Sequence, residues 1–216
     1  MLSVKWGCLF CYLAGGGDLP DRLVVDPGGD GLGVGIRPPA AADVTGSCQD
    51  VGMHIEQRLA ERGLVLPAPM AAPPGMVLPF PWVRLWPAHL PGRAFVSGHG
   101  PLLPDGSVPK GLLGKVGGDV SETDAYEGAR LTGLAILSSL ERALGDLDRV
   151  TGWLRVFGMV NVAPGFTRTP AVINGFSDLI LDLWGPETGA HARSAIGVAE
   201  LPLGLAIEIE AEVAED

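Results

Sequence analysis

No cysteine occurs after residue 48. The three in the chain, Cys8, Cys11 and Cys48, cluster near its start, so the rest has neither a disulfide framework nor a cysteine nucleophile. Cys8 and Cys11 form a C-x-x-C. No strand-to-helix setting surrounds it and no further ligands stand at zinc spacing, so neither a redox motif nor a metal site is expected there. Positive charge is also scarce: 15 Lys and Arg stand against 25 Asp and Glu, a formal net charge of −10. That excludes the basic footprint a phosphate backbone demands, and no nucleic-acid partner is expected. No apolar run reaches the ~18 residues a membrane span requires, so no membrane partner is expected and the protein reads as cytoplasmic. Residues 1–52 lack Glu altogether and hold one Lys, Lys5. They are rich in Gly and sustain no helix or strand period, so they cannot bury a face that offsets their ordering entropy. They read as a poorly ordered or leader extension, with the natural start expected at Met53. A weak targeting segment over Met1–Ala14 is the alternative.

What is present from residue 53 to 216 suits one domain: hydrophobic residues make up 47% of the chain and charged residues 19%. His54 to Arg62 reads as a short helix, with Ile55 and Leu59 one turn apart and Gly63 as its stop. Pro67 to Pro81 reads as an extended proline-rich arm over the domain surface. Trp82–Trp86, Arg93–Gly98 and Gly111–Val116 read as three strands, the last two joined through a Pro104-Asp-Gly106 turn. Ser121 is a predicted N-cap with Asp124 completing a capping-box variant. Tyr126, Ala129, Gly133, Ile136, Leu137, Leu140 and Leu144 then recur at helical spacing as one buried stripe, and Gly145 ends it. Val150–Val162 reads as a strand. Thr169 is read as the N-cap of a second long helix with Pro170 at its first position and Gly185-Pro186 at its end. Val172, Ile173, Phe176, Leu179, Ile180 and Leu183 form its apolar face. Two helices on one face of a single mixed sheet make an α+β fold whose other sheet face still needs cover.

Two runs of strand character close the chain, joined at Leu201-Pro-Leu-Gly204. In the second, Leu205, Ile207, Ile209, Ala211 and Val213 alternate with Ala206, Glu208, Glu210 and Glu212, which gives one apolar and one carboxylate face. In the first, Ile196 and Val198 take one side; Arg193, Ala195 and Gly197 take the other. Small residues beside one guanidinium, next to a carboxylate-bearing strand, can clamp an anionic ligand. An edge hairpin with a solvated polar face accounts for the same pattern, and both readings stand at this point.

The run Ala192-Arg193-Ser-Ala-Ile-Gly-Val-Ala-Glu-Leu-Pro202 followed by Ile207-Glu208-Ile-Glu-Ala211 resembles the C-terminal motif of the RidA family (YjgF, or UK114-like) of enamine/imine deaminases. Phe95-Val-Ser97-Gly-His-Gly-Pro101, the turn at 104–106, Gly145-Asp-Leu-Asp-Arg-Val150 and Val172-Ile-Asn174 match in order and spacing, so the resemblance spans roughly residues 60–216. It implies a homotrimeric barrel with the sheets turned inward and ligand clefts at the subunit interfaces. It implies a small carboxylate-bearing enamine or imine as substrate, hydrolysed to release ammonia, with no cofactor and no metal. Arg193 matches the residue that holds the substrate carboxylate, and Glu208 the catalytic carboxylate that activates water. Ala195 matches the position whose main-chain carbonyl helps hold that water. Ser97 and Asn174 match further cleft positions. His99 replaces the Gln common in Ser-Gly-Gln, and His191 should point to the same side of its strand as Arg193; either can tune proton transfer. Many family members carry a Tyr in the N-terminal arm over the substrate. Here the arm reads Leu78-Pro79-Phe80-Pro81-Trp82, with no phenol. A non-catalytic trimeric module that captures a small carboxylate metabolite is the alternative function.

Overall fold

The computed structural model describes residues 54–70, 78–87 and 91–216. The chain divides into two units, Met1–Met53 and His54–Asp216, and the described residues belong to the second. The expectations for residues 1–52, including the three cysteines, and for arm residues 71–77 lie outside them.

In chain order the elements are α1 (Ile55–Glu61), β1 (Val83–Trp86), β2 (Gly92–His99), α2 (Glu122–Leu144), β3 (Val150–Asn161), α3 (Thr169–Thr188), β4 (Ala192–Val198) and β5 (Ile207–Glu215). The strands form one mixed sheet in the order β1-β2-β5-β3-β4. The β3–β4 pair is parallel and the others are antiparallel. This is the expected α+β architecture. Ile207 of β5 packs against Gly128 of α2, and Ile173 of α3 against Gly158 of β3, so both long helices lie on one sheet face.

Local chemistry sets the helix ends. Ser121 Oγ accepts the Asp124 N–H at 3.1 Å and donates to the Asp124 carboxylate at 2.6 Å, so the capping box forms. Gly145 closes α2 in the left-handed conformation. Burial on α2 runs wider than the single stripe expected: Thr132, Ser138 and Ser139 are buried as well. The arm explains the Ser138 side, because the Ser138 hydroxyl donates to the Pro67 carbonyl at 2.7 Å.

Three sequence expectations are corrected. Residues 111–116 are not a strand: a 3-10 turn spans Lys110–Leu112, and Leu113 and Val116 make only isolated bridges. Positive φ at Gly114 and Gly117 breaks the extended run. The N-cap of α3 is Arg168, one residue earlier than expected: its carbonyl accepts the Ala171 and Val172 N–H groups. The expected stop at Gly185-Pro186 is met: Gly185 leaves helical geometry (φ 74°, ψ 178°), and one separate turn runs on to Thr188. Most consequential, β4 and β5 are not neighbours. The β3–α3–β4 segment is a parallel crossover, which sends β4 to the sheet edge. β5, apolar at every second position, takes the central slot, where α2 packs against it and Ile207, Ile209, Ala211 and Val213 are buried.

Candidate functional site

Arg193 lies on β4 opposite Val156 of β3, and Ala195 and Gly197 lie opposite Gly158 and Val160. This is the face covered by α3. Arg193 Nη1 donates to Ser177 Oγ at 2.8 Å and Nη2 to the Pro170 carbonyl at 3.4 Å, both on α3. His191 Nε2 is 2.9 Å from the same Ser177 oxygen, and its Nδ1 is 2.7 Å from the Gly189 carbonyl. A carbonyl only accepts, so Nδ1 carries the proton and Nε2 takes the Ser177 hydroxyl proton. Burial, the main cause, and the adjacent Arg193 cation hold the His191 pKa below its ordinary value; the Gly189 hydrogen bond opposes them. The Ala195 carbonyl accepts the Thr169 hydroxyl proton at 3.1 Å.

Glu208, Glu210 and Glu212 point to the opposite, uncovered face, opposite Met159, Phe157 and Arg155 of β3. Glu208 sits in a notch made by a β-bulge. Between Val96 and His99 the β2 register against β5 shifts by one residue, and Gly98 falls against the Glu208 carboxyl. A Cβ at Gly98 would stand 1.9 Å from Glu208 Oε1. Burial first, and then the Glu210 charge, raise the Glu208 pKa above its ordinary value. Repulsion among the carboxylates is relieved at Glu212, which pairs with Arg93 at 2.7 Å. Arg155 stacks over Phe157 at 5.7 Å. A shallow cavity of about 150 Å³ opens here between Phe95, Arg155, Phe157, Glu210 and Glu212.

Arg193 and Glu208 therefore occupy opposite faces of one subunit's sheet, with β3 between their strands. The hairpin clamp anticipated from their closeness in sequence does not form within one chain. Ser97 donates its hydroxyl to the Pro81 carbonyl at 2.9 Å and its N–H pairs with Trp82 O, so it ties the arm to β2. His99, only 5% exposed, turns beneath α2, away from Glu208. Its Nδ1 meets the Ser97 carbonyl at 2.6 Å, its Nε2 meets Ser139 Oγ at 2.8 Å, and its ring lies 4.9 Å from that of Trp82. Burial lowers its pKa to about 4. Asn174 is exposed on α3, within one turn of both Pro170 and Ser177. Ser177, one turn further along, accepts from Arg193 Nη1. Trp82 packs on His99 and Phe80 packs edge-on to Trp82. Two residues that sequence reasoning missed thus shape the site: Ser177 and Gly98. Ser177 sat unremarked beside Phe176 on a face read as apolar. Gly98 lay inside the quoted Val-Ser-Gly-His motif with no role attached.

Among the described residues, Glu56, Asp146 and Asp148 form the one grouping with metal-ligand spacing. One oxygen of each accepts a backbone N–H, Glu56 from Leu147 at 2.9 Å, Asp146 from Asp148 at 2.8 Å and Asp148 from Ile55 at 2.9 Å, and the other Asp148 oxygen pairs with His54. No described helix is long and apolar enough to cross a membrane.

The sheet thus carries two long helices on one face and a notched carboxylate on its second, partly open face. Residues 56–209 match the family model described as "YjgF/chorismate mutase-like, putative endoribonuclease". The chain belongs to this YjgF/RidA family. It is 43% identical over 111 residues to Protein TCP17 of Trypanosoma cruzi, across 51% of this chain and 69% of that protein. The protein Atu1372 from Agrobacterium tumefaciens, of unknown function, superimposes with a TM-score of 0.64 at 34% identity, over 75% of this chain and 94% of the other. A protein from Shewanella oneidensis, described in the same endoribonuclease terms, superimposes with a TM-score of 0.65 at 28% identity, over 75% and 99%.

Proposed function

We propose that the protein hydrolyses small carboxylate-bearing enamines or imines, of the 2-aminoacrylate kind, and releases ammonia. The observation that carries this reading is the pair matched to the family's working residues. Arg193 is a guanidinium held by α3, and Glu208 is a half-buried carboxyl whose pKa is raised. The Arg193 fork binds the substrate carboxylate in two parallel hydrogen bonds, which a point charge cannot reproduce. Glu208 takes a proton from water as the water oxygen adds to the imine carbon and passes it to the imine nitrogen. It then moves the proton of the new hydroxyl to the same nitrogen as the C–N bond breaks, leaving a carbonyl product and ammonia. A raised pKa brings a carboxyl nearer the working pH for both transfers. The reaction as proposed draws on no cofactor.

Because Arg193 and Glu208 lie on opposite faces of one sheet, the reading requires assembly. Phe95 and Ile196, each 41% exposed, stand on the uncovered face beside Phe157 and Met159. An apolar sheet face rimmed by Arg and Glu is suited to burial against copies of itself. In the proposed homotrimer, the cleft between subunits combines Arg193 of one copy with the Glu208 face of the next. The acidic balance, together with three carboxylates on the open face, argues against RNA as the substrate.

The test is ammonia release from imines generated in situ from several amino acids, with light scattering alongside. Arg193→Lys is expected to remain trimeric and to lose most activity. Unchanged turnover would remove Arg193 from the mechanism, and a stable wild-type monomer would remove the interfacial cleft. Carboxylate binding that depends on Arg193, with no ammonia released above background, would favour the binding-module reading.

A further inference from the structure

Arg193 is held from behind by a chain of hydrogen bonds with a fixed direction. Gly189 supplies a carbonyl in a locked position: its N–H bonds the Gly185 carbonyl at 3.0 Å, and a Cβ on Gly189 would stand 2.7 Å from that oxygen and 2.9 Å from the Ile180 carbonyl. That carbonyl orients His191 through Nδ1–H and leaves Nε2 as a bare acceptor. Phe176 packs edge-on to the imidazole at 6.2 Å and limits its rotation. The Ser177 hydroxyl must then donate to Nε2, so its lone pairs face Arg193 Nη1. The donors run in one direction, from Arg193 to Ser177 to His191 to Gly189. Aligned donors in a partly dry setting polarise one another.

We propose that Ser177 and His191 are positioning residues that fix the Arg193 guanidinium for carboxylate recognition. The proposal rests on the reading of Arg193 as the substrate anchor. A guanidinium on a flexible stem loses conformational freedom when it grips a planar anion, and a preset acceptor removes part of that cost before the ligand arrives. α3 thus does more than cover the sheet. Thr169 tethers the Ala195 carbonyl, and Pro170 and Ser177 tether Arg193, so one helix face sets two points of β4 in register.

The experiment uses the full-length protein, with imine turnover and calorimetric binding of pyruvate as a simple carboxylate probe. Ser177→Ala is expected to raise KM and the pyruvate Kd by about tenfold, the weight of one hydrogen bond to a charged group, with kcat within about twofold of wild type. Ser177→Thr, which keeps the hydroxyl, should recover most of the affinity. In an Arg193→Ala background, Ser177→Ala should cost nothing further. Wild-type affinity in Ser177→Ala, with affinity still lost in Arg193→Ala, would overturn the positioning role and leave the anchor standing. Full affinity in Arg193→Ala would overturn the anchor itself. Should Ser177→Ala fail to fold, His191→Phe decides the matter. A raised KM and Kd supports the relay, and wild-type values overturn it.

Discussion

Gly98→Ala is a one-methyl test of whether the β-bulge holds the carboxyl of Glu208. An ideal Cβ at residue 98 would stand 1.9 Å from Glu208 Oε1, 2.9 Å from Cδ and 3.1 Å from Cγ. Ordinary contact requires more than 3 Å, so Oε1 must retreat by about 1 Å or more. Gly98 has no positive φ, so the backbone itself accepts alanine. The end of a glutamate side chain on an uncovered face can swing aside for roughly 1 kcal/mol of rotamer cost, which bounds the loss of stability. Activity has no such cushion, because a ~1 Å misplacement of a reacting group is worth on the order of 100-fold in rate. Gly98→Ala should therefore melt within a few degrees of wild type yet slow ammonia release about as much as Glu208→Gln does. The Glu208 carboxyl, moved toward water, should also titrate closer to its ordinary value, because burial is the leading cause of its raised pKa. Wild-type kcat in Gly98→Ala beside a slow Glu208→Gln would refute the notch. A loss of several kcal/mol in stability would show instead that the methyl meets main chain.

Two further outcomes test the packing. His99 is neutral in the fold, with its pKa lowered to about 4, whereas the unfolded chain protonates near 6.5. The unfolded state therefore gains a proton first, and stability falls as pH drops from about 6.5 to 4, by up to roughly 3 kcal/mol from this group. Urea titrations of His99→Gln should be flatter over that window than wild type, and an unchanged slope would refute the burial argument. Gly175→Ala places a Cβ 2.0 Å from the Tyr126 carbonyl oxygen, where α3 crosses α2. Neither backbone can yield cheaply, so a loss of roughly 3 kcal/mol or more is expected by urea denaturation, and a neutral result would mean the helices cross elsewhere.

Much of the fold was legible because periodicity and end chemistry agree. The Ser121 capping box, Gly145, the period-two run of β5 and the apolar face of α3 each combine a local propensity with a buried partner. The Gly111–Val116 stretch misled because apolar residues at strand spacing outweighed glycines whose positive φ the sequence does not display. Thr169 misled for a different reason. A hydroxyl before Pro reads as a cap, but here the Arg168 carbonyl takes the first N–H groups of the helix and the Thr169 hydroxyl donates across to Ala195.

The site was legible one strand at a time and no further. Period two correctly separates Arg193, Ala195 and Gly197 from Ile196, and Glu208 from Ile207 and Ile209. It contains nothing about strand order, and a short Pro-Gly connection invites a hairpin. The parallel β3–β4 pairing and the insertion of β5 between β2 and β3 follow from long-range packing, which no local window reports. That insertion turns Arg193 toward α3 and Glu208 toward the open face, so the two residues matched to the family's chemistry cannot meet within one subunit. The same step leaves Phe95 and Ile196 exposed beside Glu208. Glu208 and the uncovered apolar surface thus share one face, which is where the proposed trimer would seat a neighbouring copy. Arg193, for its part, depends on a polar Ser177 amid an apolar helix face. Only the folded chain brings that hydroxyl between a guanidinium and an imidazole.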